Sequence, residues 1–437
     1  MPLEVDPQKQ RKFAIEVVRV LREAGYEAYW AGGCVRDELL GLTPKDYDVA
    51  TNARPDEVRR LFPHRRMMEV GAAFGVLTIL GRRGEGRIEV ATFRKDDTYS
   101  DGRHPDRVFF STAEEDAKRR DFTINGLFYD PLEKRVLDYV GGQEDLRRRL
   151  IRAIGDPEER FREDKLRMLR AIRFAATYDF TIEPKTFEAI RKMAPQILQV
   201  SPERIAMELE RCLLHANRRR AMELLVDSNL ASVILPELAE GIAKTPEVWK
   251  ENLAVLERLK EPTFALALAA LYRGLVTPHQ SEKIARRLRF SNQIRHQTAW
   301  LLENFPLLAE AKSRRWSEVQ PVASSPEAAQ LVKWGEALVA SGKLDPENLA
   351  WWTTKRSLPP ELLDPPPLIS GDDLQALGLP PGPLYRQLLQ EVRNRQLDGE
   401  LRSKEEALAW IRTHLATQPP PPSKPPSTAE ETSPKES

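Results

Sequence analysis

Cysteine and histidine are scarce in this sequence, and their scarcity excludes several classes of protein. Among 437 residues there are two cysteines, Cys34 and Cys212, and six dispersed histidines. Neither a disulfide framework nor a zinc-binding motif can be built from this number and spacing. Few cysteines also fit a reducing compartment, where disulfides do not persist. We therefore predict a cytoplasmic protein.

Long apolar runs and a net charge of either sign are also missing. No apolar segment approaches the roughly 20 residues of a membrane-spanning helix, and MPLEVDPQKQRKF at residues 1–13 lacks the apolar core of a signal peptide. Lysine and arginine number 67 against 66 aspartate and glutamate residues, a formal net charge of +1. Any affinity for nucleic acid must therefore come from local basic patches.

What the chain contains is a short region of strand patterns followed by a long helical one. Apolar spacing predicts a first helix over residues 9–25, ending at Gly25. From about residue 143 onward nearly every window has helical periodicity. Between them are a helical pattern, PDEVRRLF at 55–62, and short β-forming segments, at 28–33, 46–51, 75–80, 87–93 and 123–129. The predicted fold class is α+β, a small mixed sheet followed by a helical array.

An acidic pair is the first chemical feature of the strand region. Asp46 and Asp48 are two residues apart in DYDVAT, so a strand would present both carboxylates to one side. Paired carboxylates suit Mg²⁺, which binds through one or two of them plus substrate phosphates. The alternative for this pattern is a solvated strand face.

A glycine pair precedes the acidic pair in YWAGGCVRDELLG. Gly32 and Gly33 carry no bulky side chain and lead into the helical pattern VRDELLG. Backbone N–H groups of such a turn can hold phosphate oxygens, with Arg36 adding positive charge. A glycine pair alone is usually just a turn, but a metal pair needs a phosphate-binding loop nearby.

Five blocks, in order, resemble the class II tRNA nucleotidyltransferases, the CCA-adding enzymes, and the related bacterial poly(A) polymerases of the DNA polymerase beta superfamily. The first joins Gly32-Gly33-x-Val35-Arg36-Asp37 to Lys45-Asp46-x-Asp48. The others are RRDFTING at 119–126, LDYVGGQEDLRRRLIR at 137–152, REDKLRMLRAIRF at 162–174 and SPERIAMELERCL at 201–213. A weaker match covers 368–392.

The resemblance implies a nucleotidyltransferase head followed by an elongated all-α neck, body and tail. The corresponding domains are a head at 1–137, a neck at 138–213, a body at 214–350, a tRNA-binding tail at 351–416 and a disordered proline-rich segment at 417–437. It also implies template-independent addition of CCA to the 3′ end of tRNA from CTP and ATP, with Mg²⁺ as cofactor. Whether the chain is a monomer or a homodimer is left open.

The same resemblance implies roles for individual residues. Asp46 and Asp48 would bind two Mg²⁺ ions, with Glu89 as the candidate for a third catalytic carboxylate. The nucleotide-binding residues would be Gly33, Arg36, Arg120, Asp121, Asn125, Asp164, Arg167, Arg170 and Arg173. Within this set, Arg36, Arg120 and Asn125 would hold triphosphate and sugar, and Asp121 would orient Arg120 or the ribose.

Asp164 and Arg167 would select the base. Their spacing in a helical window puts them on one face, although this pattern is also that of an ordinary surface ion pair. A carboxylate accepts and a guanidinium donates, which suits the amino group and ring nitrogen of cytosine and adenine. Uracil and guanine reverse that order and would leave buried groups unpaired, at roughly 1–3 kcal/mol each.

Two related activities remain as alternatives. A poly(A) polymerase shares most motifs, but the stretch at 65–81 follows the tRNA enzymes' Val-Gly-x-x-x-Gly-x-x-Thr pattern. A partial enzyme adding only CC or only A is the second. The resemblance favours complete CCA addition, because family members restricted to cytidines tend to lack a loop before the second motif and this chain has a full-length one at 93–110. Its charged residues could shift Asp164 and Arg167 from fitting cytidine to fitting adenosine; the alternative is a charged surface loop without a role.

Two classes without RNA nucleotidyl transfer fit less well. A protein that only binds tRNA would be expected to lose Asp46, Asp48 or Asp121, yet all three are present. A nucleotidyltransferase acting on small molecules would not explain the long helical array.

Arginine-rich segments of that array, at 215–225, 281–297 and 385–412, are candidates for phosphate contacts or solvated faces. We expect Trp351, Trp352 and Trp410 to serve packing.

Overall fold

The structure, a computed structural model, describes residues 5–68, 75–96 and 108–417. Three sequence predictions fall wholly or partly outside these ranges. They are the proline-rich segment from 418 onward, most of the loop at 93–110, and the Val-Gly start of the pattern at 70–71.

The strand region forms one mixed sheet. Its seven strands have the order β3-β4-β5-β2-β1-β8-β9. Only β2 and β5 pair in parallel, and the other neighbours are antiparallel. Two smaller sheets pair β6 with β7 and β10 with β11. The strands are β1 (Ala28–Ala31), β2 (Tyr47–Thr51), β3 (Met67–Met68), β4 (Val76–Leu80), β5 (Arg87–Thr92), β6 (Arg94–Asp96), β7 (Val108–Phe110), β8 (Leu127–Asp130), β9 (Arg135–Asp138), β10 (Leu150–Ile151) and β11 (Thr181–Ile182).

Helices flank the sheet and then make up nearly all of the remaining described chain. Those of the sheet region are α1 (Pro7–Glu23), α2 (Gly33–Leu39), α3 (Pro55–Leu61), α4 (Ala113–Lys118) and α5 (Gly142–Arg147). The next are α6 (Pro157–Glu163), α7 (Leu166–Tyr178), α8 (Pro184–Met193), α9 (Pro202–Leu214), α10 (Arg218–Asp227), α11 (Leu230–Ile234), α12 (Pro236–Lys244), α13 (Pro246–Arg258), α14 (Phe264–Tyr272), α15 (Pro278–Arg287) and α16 (Asn292–Ala309). The last are α17 (Trp316–Ala323), α18 (Ala328–Ala340), α19 (Pro346–Arg356), α20 (Pro360–Leu363), α21 (Gly371–Ala376), α22 (Pro383–Leu397) and α23 (Lys404–Thr417). Short 3₁₀ turns occur at Thr123–Asn125, Ala194–Gln199 and Ala311–Ser313.

The first helix follows from its local sequence. Asp6 caps it by accepting hydrogen bonds from the backbone N–H groups of Gln8 and Lys9, and Pro7 occupies its first position. It ends just before Gly25, whose φ of 87° suits the residue after a helix end. The prediction of a helix stopping at Gly25 is therefore confirmed, with the start two residues earlier.

Sheet alternation determines which side chains reach the cleft. In β2, Tyr47 and Val49 are buried whereas Asp48 between them is exposed. The strand starts at Tyr47, so Asp46 lies one residue before it and not within it as predicted. On the opposite face, which Asp48 shares with Ala50, the rings of Tyr29, Phe93 and Phe128 form an aromatic core with Ala50. β1, β2 and β8 each contribute a residue to this core.

The described residues divide into two compact units. The first lies within 1–303 and 333–343, and the second within 304–332 and 344–437. The second has its own core, which includes Ile369, Leu388 and Ile411. The finer predicted division into head, neck, body and tail remains a prediction.

The tryptophans of the second unit pack as expected. Trp352 is fully buried, and Trp410 lies against the core of this unit. The ring of Trp351 meets that of Trp316 edge-on, with centroids 5.9 Å apart. Within the described ranges, no helix has the length and apolar character needed to cross a membrane.

Candidate active site

The cleft begins where β1 ends, at the glycine pair. Gly32 has a φ of 72°, and a Cβ built there would lie 2.7 Å from Arg120 Nη1. The positive φ favours glycine at this position, and any side chain there would also displace the end of Arg120. α2 begins at Gly33, two residues earlier than the helical pattern predicted.

Three carboxylates lie at the sheet end of the cleft. Asp48 in β2 and Glu89 in β5 are direct partners in the parallel register. Asp48 is open to solvent at the cleft, but the protein around it removes part of its hydration and raises its pKa to about 6. The charges of Glu89 and Asp46 add to this rise, and Arg120 opposes it. These oxygen donors fit a hard divalent cation, which would relieve their repulsion. Among the described residues, however, no group of three or more His, Cys, Asp or Glu has the arrangement of a metal site.

Asp121 is almost completely buried and fully bonded. It accepts hydrogen bonds from the Phe122 N–H at 2.8 Å, Asn125 Nδ2 at 2.9 Å and Arg170 Nε at 2.8 Å. Burial alone would raise its pKa, but the Arg170 guanidinium and the Asn125 amide hold it well below its usual range. Of the two roles predicted for Asp121, the contact with Arg120 is not formed, because its carboxylate is bonded to Arg170 and Asn125. Orientation of the ribose remains a prediction.

Asp116, which the sequence analysis did not select, holds Arg120 instead. Its Oδ2 accepts from Arg120 Nε at 3.2 Å and Nη2 at 3.0 Å. Its Oδ1 accepts from Arg119 Nε at 2.9 Å and Nη2 at 2.7 Å. One buried carboxylate of α4 therefore positions two consecutive arginines, which follow three and four residues later, directly after the end of that helix.

Arg36 is buried between the sheet region and α7. Its Nη1 donates to Asn125 Oδ1 at 2.5 Å, and its Nε donates to Asp37 Oδ1 at 2.9 Å. The guanidinium lies 4.4 Å from the ring centroid of Tyr178, whose hydroxyl donates to the same Asp37 oxygen at 3.0 Å. Arg36 therefore connects the two sides of the cleft as well as lining it.

The predicted base-selecting pair differs from expectation in one respect. Asp164 and Arg167 do not share a helix, because α6 ends at Glu163 and α7 begins at Leu166. The Asp164 carboxylate accepts from the Leu166 N–H at 3.0 Å, a local bond that favours such a break over a continuous helix.

Each member of that pair is held by a residue outside it. Asp164 forms an ion pair with Arg204 of α9, Oδ2 to Nη2 at 2.7 Å. Arg167 Nη1 donates to Glu163 Oε2 at 2.5 Å. Asp164 and Arg167 therefore do not form an ordinary surface ion pair with each other. Both side chains face one cavity.

Three guanidiniums surround the buried ring of Phe174. Those of Arg36, Arg170 and Arg173 lie 5.3, 5.1 and 4.1 Å from its centroid. Arg173 is fixed by Glu208 of α9, whose Oε2 accepts from Nε at 2.6 Å. Phe174 therefore sets the spacing of these three guanidiniums. Six arginines and three aspartates line the smaller cavity, and this excess of positive charge favours an anionic ligand.

Two cavities meet at this site. The smaller, of about 490 Å³, joins Asp48 and the glycine pair to the predicted base-selecting residues; its walls include Gly32, Gly33, Arg36, Asp48, Arg119, Arg120, Asp121, Asn125, Asp164, Arg167, Arg170, Arg173 and Phe174. The larger, of about 1000 Å³, contains both Asp46 and Asp48. Glu89 joins the site through its register with Asp48.

Several site residues were missed by sequence reasoning, namely Asp116, Arg119, Glu163, Phe174, Arg204 and Glu208. Arg119, Glu163 and Phe174 stand inside blocks already recognised, so adjacency could have suggested them. Arg204 and Glu208 stand in SPERIAMELERCL, which was interpreted as a structural helix. Only the packing of α9 against α7 brings them to the cleft.

Comparisons with known proteins agree with this geometry. The profile described as "Poly A polymerase head domain" matches residues 28–152, and "Probable RNA and SrmB- binding site of polymerase A" matches 179–242. The CCA-adding enzyme of Geobacillus stearothermophilus is 32% identical over 407 residues, covering 93% of this chain and 97% of that protein. The chain belongs to the CCA-adding enzyme family.

Further members support this assignment. The CCA-adding enzyme of Streptococcus suis strain 05ZYH33 is 32% identical over 398 residues, covering 90% of this chain and 94% of the relative. The crystal structure of the Bacillus stearothermophilus CCA-adding enzyme in complex with CTP superposes with a TM-score of 0.72 at 28% identity. It covers 94% of this chain and 99% of that one. The predicted family and fold class, a CCA-adding enzyme head with a helical remainder, are confirmed.

Proposed function

We propose that this chain adds CCA to the 3′ end of tRNA from CTP and ATP without a nucleic-acid template. The observation that carries the proposal is the cavity joining Asp48 to Asp164 and Arg167. A single nucleoside triphosphate in that cavity would meet acidic residues at its phosphate end and a donor–acceptor pair at its base. The CCA-adding enzymes similar to this chain support the same activity.

The nucleotide would lie along the smaller cavity. Arg120, the turn at Gly32 and Gly33, and Arg36 offer donors for triphosphate oxygens. Asn125, whose amide is fixed by Arg36 and Asp121, would face the ribose. This arrangement holds the α-phosphorus near Asp48.

Asp164 and Arg167 would select the base, and other residues hold both side chains in place before the base binds. Arg204 and the Leu166 N–H hold Asp164, and Glu163 holds Arg167. The carboxylate then accepts from the amino group of cytosine or adenine while Arg167 donates to the ring nitrogen. A pyrimidine or purine with reversed polarity would leave both groups unpaired.

Mg²⁺ is the cofactor that we propose for the Asp46 and Asp48 carboxylates, with Glu89 beside them. Their crowding and oxygen chemistry support a divalent cation. When bound, it supplies Lewis-acid activation of the attacking hydroxyl and neutralises charge on the leaving group. In the reaction, the 3′ hydroxyl of the RNA loses its proton to solvent and its oxygen bonds to the α-phosphorus. The bond from that phosphorus to the bridging oxygen breaks, and pyrophosphate leaves.

The larger cavity would receive the 3′ end of the RNA. It shares Asp48 with the nucleotide cavity, so a hydroxyl there can approach the α-phosphorus. Lys45, Arg211 and His215 are on its walls. Their charge and polarity suit the backbone of single-stranded RNA.

The test uses purified protein and a tRNA transcript lacking its last three nucleotides. Products are sized at one-nucleotide resolution with CTP alone, ATP alone and both. We expect two additions with CTP and three with both nucleotides. Arrest after two additions in the presence of ATP would indicate a CC-adding enzyme. Growth only on a transcript ending in CC would indicate an A-adding enzyme, and growth beyond three a poly(A) polymerase.

We also propose a cytoplasmic location. The proposed tRNA substrate supports it, and so do Cys34 and Cys212, both free thiols. Fractionation of cells expressing a tagged chain would test it, and recovery in the membrane fraction would contradict it.

A further inference from the structure

Asp116 is the most heavily bonded carboxylate bordering the nucleotide cavity, yet it lies behind the wall rather than in it. It is 1% exposed. Its two oxygens accept four hydrogen bonds from the guanidiniums of Arg119 and Arg120, both of which face the cavity. Burial alone would raise the pKa of Asp116, but these two guanidiniums hold it below its usual value. The carboxylate therefore stays charged in place.

The same carboxylate also contacts the β6–β7 strand pair, which forms the stem of the segment predicted to shift the base-selecting residues. Its Oδ1 accepts from the Arg94 backbone N–H at 3.3 Å, and Arg119 Nε donates to the Arg94 carbonyl at 3.1 Å. Arg94 is the first residue of β6, which pairs with β7 through Arg94 and Phe110. Both backbone polar groups of one stem residue are thus bonded to the Asp116–Arg119 pair.

From Arg119 the connection continues to the base-selecting end. The Arg119 carbonyl accepts from Arg167 Nη2 at 3.3 Å. Towards the phosphate end, the connection from Asp116 continues through Arg120. Its Nη1 donates to the Asn125 carbonyl at 3.4 Å and lies against Gly32. Asp116 is consequently the one carboxylate, among the described residues, bonded to both arginines that lead to the two ends of the nucleotide.

We propose that Asp116 is a positioning residue for nucleotide selection, which fixes Arg119 and Arg120 against the β6 stem and thereby sets the place of Arg167. This inference rests on the proposed function and deepens it. Asp116 touches neither nucleotide nor metal. It acts by holding the guanidiniums of Arg119 and Arg120 in one position each. A buried bidentate contact restricts a guanidinium more than an exposed contact does.

The experiment compares wild type with Asp116→Asn, which keeps the shape but removes the charge and one acceptor. kcat and KM are measured for CTP and UTP on a tRNA transcript lacking CCA. We expect KM for CTP to rise about tenfold and the preference for CTP over UTP, as the ratio of kcat/KM values, to fall about tenfold. Glu237→Gln is the matched control, because Glu237 makes a similar two-bond contact to Arg287 away from the cleft. It should leave both quantities unchanged.

A second variant guards against simple misfolding. Arg119→Gln removes the other side of the contact at a partly exposed position. If the two residues act as a unit, Asp116→Asn should cost little more in selectivity when Arg119→Gln is already present. Additive losses, or an equal fall in kcat/KM for CTP and UTP in both variants, would overturn the inference. If wild type itself adds no CCA, the proposed function fails instead.

Discussion

The two ends of the nucleotide cavity are built differently. At the phosphate end, Asp48 and Glu89 are placed by the backbone register of paired strands. At the base end, Asp164 and Arg167 lie at a break between two helices and are placed by side-chain partners, Arg204 and Glu163. The carboxylates of the phosphate end therefore depend on hydrogen-bonded backbone, and the base-selecting pair depends on individual ion pairs. We expect substitutions at the phosphate end to abolish nucleotide addition, and substitutions at the base end to lower selectivity by smaller steps.

The largest effect is expected from the acidic pair. Asp48→Asn or Asp46→Ala removes a charge needed to hold a divalent cation, so nucleotide addition should fall by about 10³-fold or more. Binding of tRNA should stay nearly unchanged. Addition is measured with radiolabelled CTP, and binding by gel shift. Undiminished CTP incorporation by either variant would refute the assigned metal site.

Arg167→Ala tests the base end directly. Loss of the guanidinium removes one hydrogen bond to the correct base, which weakens its binding. It also removes the donor that would be left unpaired opposite the wrong base, so the penalty against that base falls. Selectivity for CTP over UTP should fall by roughly 10- to 100-fold, matching about 1–3 kcal/mol. Misincorporation of UMP is the readout. Unchanged selectivity together with a lower rate would mean that Arg167 serves structure alone.

Arg204→Ala tests whether the base end depends on its supporting ion pairs. It leaves Asp164 and Arg167 themselves in place but removes the ion pair that holds Asp164. We expect KM for CTP to rise about tenfold with a smaller change in kcat, as the carboxylate loses its fixed position. Arg289→Ala is the control, since Arg289 forms an exposed ion pair with the neighbouring Glu203. Exposed pairs contribute little, so that variant should behave as wild type. Equal effects of the two changes would contradict a role for Arg204.

Tyr178→Phe should have the smallest effect. It removes one hydroxyl that donates to Asp37 but keeps the ring facing Arg36. The expected loss is about 0.5–1.5 kcal/mol, seen as a two- to tenfold rise in KM for nucleotide. Tyr178→Ala should be worse, because the ring is lost as well. If both variants match wild type, the contact across the cleft has no part in nucleotide binding.

The sheet region could be predicted closely from local patterns. The first helix, the strands around Asp48 and Glu89, and the glycine turn follow from periodicity, capping and glycine chemistry that act over a few residues. Arg36, Arg120, Asp121 and the other nucleotide-site residues predicted from motifs remain predictions in their roles, although the fold brings them to one cleft. Arg120, one of the two partners predicted for Asp121, is bonded to Asp116 instead, because adjacency in sequence does not show which carboxylate a guanidinium reaches.

The sequence by itself determined the kind of fold, the family and the residue types that line the smaller cavity, since strand alternation, helix periodicity and ordered motifs are local properties of the chain. Only the tertiary structure decided that Asp116 holds Arg119 and Arg120, that Arg204 holds Asp164, and that two cavities share Asp48. Those contacts join residues on different elements or compete among several nearby partners. Burial and side-chain geometry, rather than spacing along the chain, select among them.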